Sequence, residues 1–314
     1  MLGGEGKARR HEPYLDDVFS QDADPQLRHR RPCGARARRA RVNRSGLQDL
    51  SVFFRLSSWE LGLIILAVVG AATLAGFATG RYLREHSATL REPFGVLQAA
   101  LLGVVGLILA FGLTLAVGRY EDRRAATVTE ANAIGTTYLR AQLIAEPARS
   151  RSLELLRRYT TLAVNVSREV PNSPGMQRTT SAQGVLQRRL WRLAGQSISA
   201  APLASAPRLY VDSLNSTIDD QEARLSALNN RVPGAVLALE VIGAAVALAL
   251  LALHISILGR GLVPTITAAA LVTLLLLVTF DLDRPTRGLI KVPSTPLVSL
   301  RASTSLPPAA NPQS

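Results

Sequence analysis

The sequence predicts an all-α membrane protein: four transmembrane helices in two hairpins, with a helical cytoplasmic domain between spans 2 and 3. Three observations carry that prediction. Four apolar stretches each run for roughly 20 residues, the length that takes a helix across a ~30 Å hydrocarbon core. They stand in a strongly basic background, with 36 Lys and Arg against 23 Asp and Glu, a blockwise segregation foreign to a single soluble core. The polar segment in the middle repeats its apolar residues at helical spacing and carries no strand signal.

The elements follow in chain order. Residues 1–58 read as a disordered, Arg-rich cytoplasmic tail. The first 50 lack the apolar core of a cleavable signal peptide. Arg28 to Arg44 contains eight arginines and no acid. No aromatic residue is interleaved in that run to stack on bases, so nucleic acid is not an expected partner. The first hairpin, 59–118, holds spans 61–80 and 94–117, joined over "RYLREHSATLREP". The second, 233–280, holds spans 235–258 and 262–280, joined by "GRG". Residues 119–232 between them are too polar for lipid. The cytoplasmic C-terminal tail, 281–314, reads as mostly disordered after 292, where Pro and Ser accumulate.

Orientation follows from arginine. The N-terminal stretch to Glu60 holds 12 Lys and Arg and residues 119–231 hold 16, whereas the two short loops hold three and one. Basic residues stay on the cytoplasmic side. The expectation is a multi-pass protein of the cell membrane, a bacterial inner membrane, with both termini in the cytoplasm.

Within the central segment, Leu155, Tyr159, Leu162 and Val166 lie on one helical face, and Leu186, Leu190 and Leu193 repeat the pattern. Val211, Leu214, Ile218, Leu225 and Leu228 keep a heptad-like register that runs almost into the third span. "PNSPGMQRTTSAQG" (171–184) and "SAAPLASAP" (199–207) read as breakers. Residues Arg119 to Arg140 contain no Pro and a single Gly, Gly135. They are therefore able to continue the second span as one long helix that leaves the bilayer.

Three groups of residues are candidates for function. Along the second span, Gly95, Ala99, Gly103, Gly106, Ala110 and Thr114 form a small-residue stripe on one face. Such a stripe either lets helices approach closely or lines a pore in an oligomer. In the third span Glu240 and His254 share a face, about 21 Å apart along the axis. Ionisable residues inside a span are candidates for an ion or proton path, and near span ends also for snorkelling or an interhelical hydrogen bond. After the fourth span, Asp281 and Asp283 emerge where Arg119 and Arg123 leave the second, which sets up charge pairing. Two carboxylates are too few for calcium, which takes six to eight oxygens. Cys33 is the only cysteine, so no cysteine metal site is expected. With no catalytic constellation or phosphate-cradling loop in sight, neither an enzyme nor a cofactor is expected.

"EPFG" (92–95), "R...RR.....EANAIGT.YLR" from Arg119 to Arg140, Pro233 opening the third span, and "D.DRP..G.I.V" (281–292) together resemble the bestrophin-like family of membrane proteins, a domain of unknown function. The resemblance covers about residues 60 to 292. It implies kinship with bestrophins: pentameric anion channels with cytoplasmic termini, a helical cytoplasmic domain and a pore lined by the second span. It also implies a role for Arg119, Arg123, Glu130, Asn132, Asp281, Asp283 and Arg284, the matched motif positions, as a polar network at the base of the bundle. Two departures stand out. The dense acidic cluster of calcium-gated members is missing, and the stripe carries Gly and Ala where bulky neck residues are implied. The leading expectation is a homo-oligomeric anion channel in a lipid bilayer, with small anions as its cargo. The alternative is a non-conducting scaffold or sensor whose helical domain binds a partner.

Overall fold

The computed structural model describes residues 58–83, 91–259, 263–286 and 288–310. The basic N-terminal tail and most of the two short interspan loops, with Arg84 and Arg260, lie outside the described residues. Those described fold into helices, with no strand among them: α1 (Ser58–Leu83), α2 (Arg91–Ala141), α3 (Ala148–Val166), α4 (Pro174–Ala200), α5 (Ser205–Asn229), α6 (Gly234–Ile257), α7 (Val263–Leu282) and α8 (Thr295–Ser305). Helices α1, α2, α6 and α7 are each long and apolar enough to cross a membrane.

Helix α2 is 51 residues long. At ~1.5 Å per residue it spans about 75 Å, more than twice a ~30 Å hydrocarbon core. Any placement across a bilayer leaves a long part of it in water. Its one proline, Pro93, stands in the first turn, where no intrahelical bond is lost, and no proline follows it to break the helix. Gly135 is retained inside it where α8 packs close: a Cβ there would sit 3.2 Å from Leu300 Cδ1.

Two expectations need correction. The expected breaker at 171–184 is mostly helix, because α4 begins at Pro174. The Ser173 side chain caps it by accepting from the Met176 N–H at 3.1 Å. Proline at the first helical position loses only a donor that would be unpaired in any case, so it starts this helix instead of stopping it. The tail after 292, read as disordered, contains α8. Its Leu297 is fully buried, and Tyr138 and Arg157 donate to the Thr304 carbonyl at 3.1 and 2.7 Å. One leucine and two well-placed donors outweigh a composition that alone reads as loop.

Two units are distinct. The first comprises residues 58–129 and 221–293. In it α1 packs along α6, and α7 packs on both. Its core gathers Ile65, Val69, Val105, Leu109, Ala244, Leu248 and Leu276. Between helices in lipid, contact is won by close packing, since lipid tails are as apolar as leucine. Gly76 shows this: a Cβ there would run into the Ala249 backbone carbonyl. Ser256 on α6 also donates to the Phe77 carbonyl of α1 at 3.0 Å. Leu63, Leu66, Leu74, Leu107, Phe111 and Leu271 stay exposed, as a lipid-facing surface requires.

The second unit comprises residues 130–220 and 294–310. Its buried clusters join Ile134, Tyr159, Leu162, Leu186 and Leu297, and then Leu156, Leu190, Tyr210 and Leu214. The helical periodicity of Leu155–Val166 and Leu186–Leu193 therefore marks the faces that meet.

Candidate functional site

Arg123 and Arg284 are the largest fully buried side chains among the described residues of the first unit, and Arg123 is the one that ties helix ends together. Its position is set by two helix ends. Helix α5 stops at Asn229 and α7 at Leu282, and each leaves its last carbonyls without intrahelical partners. The guanidinium reaches both. Nε donates to the Ala227 carbonyl at 3.3 Å, Nη1 to the Leu282 carbonyl at 3.0 Å and Nη2 to the Asn230 carbonyl at 2.7 Å. Helix C-termini carry partial negative charge, so a cation shared by two of them is doubly favoured. Nη2 also faces the Asp283 carboxylate at 3.4 Å.

Asp283 is itself buried and accepts the Val232 N–H at 3.1 Å in the link before α6. Burial pushes its carboxyl above the ordinary carboxylate range. The Val232 N–H, Arg123 and Arg231 pull it back in part. The four-way clamp thus ties α2, the end of α5, the start of α6 and the end of α7 together. Asp281 works differently. Its Oδ1 and Oδ2 accept the backbone N–H groups of Leu289 and Ile290 at 2.9 and 2.8 Å, folding the chain back after α7. A Cβ on Gly288 would lie 2.8–2.9 Å from Asp281 atoms, so glycine is required at that close approach. This turn is the physical content of "D.DRP..G.I.V".

The other candidates are placed as follows. Arg284 is buried in the same region and donates its backbone N–H to the Asp281 carbonyl at 3.0 Å. Arg119 is half-buried, and no ion pair forms on it among the described residues. Thr127 is buried one turn beyond Arg123 and donates to its carbonyl at 2.9 Å. In the second unit Glu130 is fully buried, while Asn132 is exposed.

The ionisable groups of α6 both rest on glycines of α2. Glu240 is buried, neither carboxylate oxygen has a hydrogen-bond partner among the described residues, and a Cβ on Gly112 would run into it. His254 lies with Cε1 3.4 Å from where a Gly95 Cβ would sit, and its Nδ1 has no hydrogen-bond partner among the described residues. The stripe on α2 behaves otherwise. Gly95 is half-buried, but Ala99, Gly103, Gly106, Ala110 and Thr114 are exposed. Nothing lies within 4 Å of a Cβ built on Gly103 or Gly106. Among the described residues, this face from Ala99 to Thr114 is exposed, with open space at its two glycines.

Sequence reasoning names Arg123 and Asp283 but not the Ala227, Asn230 and Leu282 carbonyls, which carry no side-chain signal. It also misses Gly112 as the seat of Glu240, because that glycine lies off the stripe. Among the described residues no group of three or more His, Cys, Asp or Glu is placed to hold a metal ion.

Four helices long and apolar enough to cross a membrane, three of them joined at their ends by a buried arginine–aspartate clamp, define a polytopic α-helical membrane protein. A model of the Bestrophin-like domain matches residues 61–297, and the chain belongs to that family. A bacterial bestrophin homologue from Klebsiella pneumoniae has a similar fold, with a TM-score of 0.59 at 13% identity over 77% of this chain and 96% of that one. A variant of the same protein gives 0.61 at 14% identity, over 77% and 97%. No curated protein sequence matches this one.

Proposed function

We propose that this chain assembles into a homo-oligomeric anion channel of the cell membrane, with the second span lining the path. The observation that carries the reading is the bare face of α2: exposed small residues from Ala99 to Thr114, with open space around Gly103 and Gly106. Small residues on a lipid-soluble helix earn their place by close approach or by leaving room. Among the described residues nothing approaches its glycines closely, so it is assigned to neighbouring copies and the lumen they enclose. Family membership supports the same assignment, and a pentamer is the assembly it favours. Residues 119–231 carry 16 Arg against 10 Asp and Glu, a net +6 suited to concentrating anions at the cytoplasmic mouth.

The test is anion flux into liposomes from purified protein, alongside variants with single cysteines at 103, 106 and 110, each in a Cys33→Ser background. Flux above protein-free liposomes, blocked when a thiol reagent modifies those cysteines, supports the reading. Folded, oligomeric protein without flux favours the scaffold, with the spans serving as anchor and assembly surface. Flux that ignores modification at all three positions removes the second span as the lining.

A further inference from the structure

We propose that the groove between α3 and α4 binds an anion carrying a multiply charged phosphate group. The link 167–173 turns the chain back on itself, and Gln187 donates to the Tyr159 hydroxyl at 3.2 Å, so the two helices run side by side in opposite directions. Between them lies a groove of about 470 Å³, within the range of small-molecule sites. Arg151 and Arg158 line it from α3, two turns apart, and Arg189 and Arg192 line it from α4. Leu155 and the buried Leu193 contribute its apolar lining.

Two of the four guanidiniums are left without an ion pair among the described residues. Glu154 is the only acid in the lining and is taken by Arg158 at 2.6 Å. Arg151 and Arg192 are exposed and make no ion pair among the described residues. Like charges three residues apart on a helix repel, as Arg189 and Arg192 do. An ordinary solvated face intersperses both signs. Of the four guanidiniums around this concavity, those of Arg151 and Arg192 present open planar forks, which match phosphate oxygens two at a time. No aromatic side chain lines the groove to stack on a base. The recognised chemistry is therefore phosphate and not nucleobase. A soluble diphosphate and a phosphomonoester lipid headgroup share that chemistry.

The experiment uses the full-length protein in uncharged detergent, titrated calorimetrically at fixed ionic strength with inorganic pyrophosphate and, separately, with short-chain phosphatidate. The proposal expects saturable binding of at least one probe. Arg151→Gln combined with Arg192→Gln, both exposed and unpaired, weakens it tenfold or more. Glu154→Gln removes the opposing charge and tightens it severalfold. Arg168→Gln, exposed outside the groove, leaves it unchanged. Saturation by pyrophosphate identifies a soluble ligand; saturation by phosphatidate alone identifies a headgroup. Absence of saturable binding for both probes overturns the proposal, as does equal weakening by Arg168→Gln, or a Glu154→Gln variant that binds no tighter. Each variant is checked for native helicity and oligomer size. The site does not depend on conduction, so its failure would leave the channel reading standing, and a chain without flux could still bind.

Discussion

The Arg123 guanidinium spends most of its donors on backbone carbonyls at two helix ends and meets one carboxylate besides. Removing one member of such a buried set leaves the others desolvated and unpaired. Arg123→Ala should therefore cost about 3–5 kcal/mol, read as a lowered melting temperature in detergent. Arg123→Lys should rescue only part of this, since an ammonium lacks the fork that spans the carbonyls. Asp283→Asn keeps an acceptor for the Val232 N–H and should cost less, about 1–3 kcal/mol. A melting temperature for Arg123→Ala equal to wild type would remove the clamp from the account. Glu240 makes the opposite prediction. Its carboxylate has no partner to lose, so Glu240→Gln should leave stability unchanged or raise it. Glu240→Lys should fail to fold, with loss of the monodisperse peak on gel filtration.

At the scale of the element, glycines on the transmembrane helices divide into two kinds. Gly76 allows α1 to approach the Ala249 carbonyl of α6, and Gly112 seats Glu240. Alanine at Gly76 should cost roughly 1–3 kcal/mol by overpacking. Alanine at Gly103 or Gly106 meets open space within the chain and should not lower the stability of the single chain. Any effect should appear in oligomer size or flux. Melting and native mass measurements on the three variants separate the two kinds, and a destabilised monomer from Gly103→Ala would contradict the open face. Helix α8 offers a parallel test. Leu297 is fully buried against the Ile134–Tyr159–Leu186 cluster. Leu297→Ala should cost about 2–5 kcal/mol, measurable by denaturant unfolding. An unstructured tail would give no change.

For the whole molecule, hydrophobic matching and the arginine distribution together predict which side each segment occupies. A periplasmic-active phosphatase fused after residue 87 should be active, and one fused after residue 170 inactive. Reversal of that pattern would overturn the cytoplasmic placement of the central helices. The chain should also remain in membranes through alkaline carbonate.

How much was legible follows from where the signals reside. Span positions, the uninterrupted α2 and the paired helical faces were readable, because apolar length, the lack of proline from Arg119 to Arg140 and a 3.6-residue period are local properties of the chain. The Pro174 start of α4 and the existence of α8 were misread. Their decisive partners are the Ser173 cap geometry and a cluster built from Ile134, Tyr159 and Leu186, which composition does not display. Charge complementarity brought Arg123 and Asp283 into one candidate network, but three of the groups that hold Arg123 are backbone carbonyls, equivalent in any sequence. By itself the sequence determined that the chain is helical and enters a membrane, since both depend on residue type summed along a segment. Only the tertiary structure decided which carbonyls close around Arg123, that Gly112 receives Glu240, and that the small-residue face of α2 is bare. Those facts depend on where distant helix ends and faces meet.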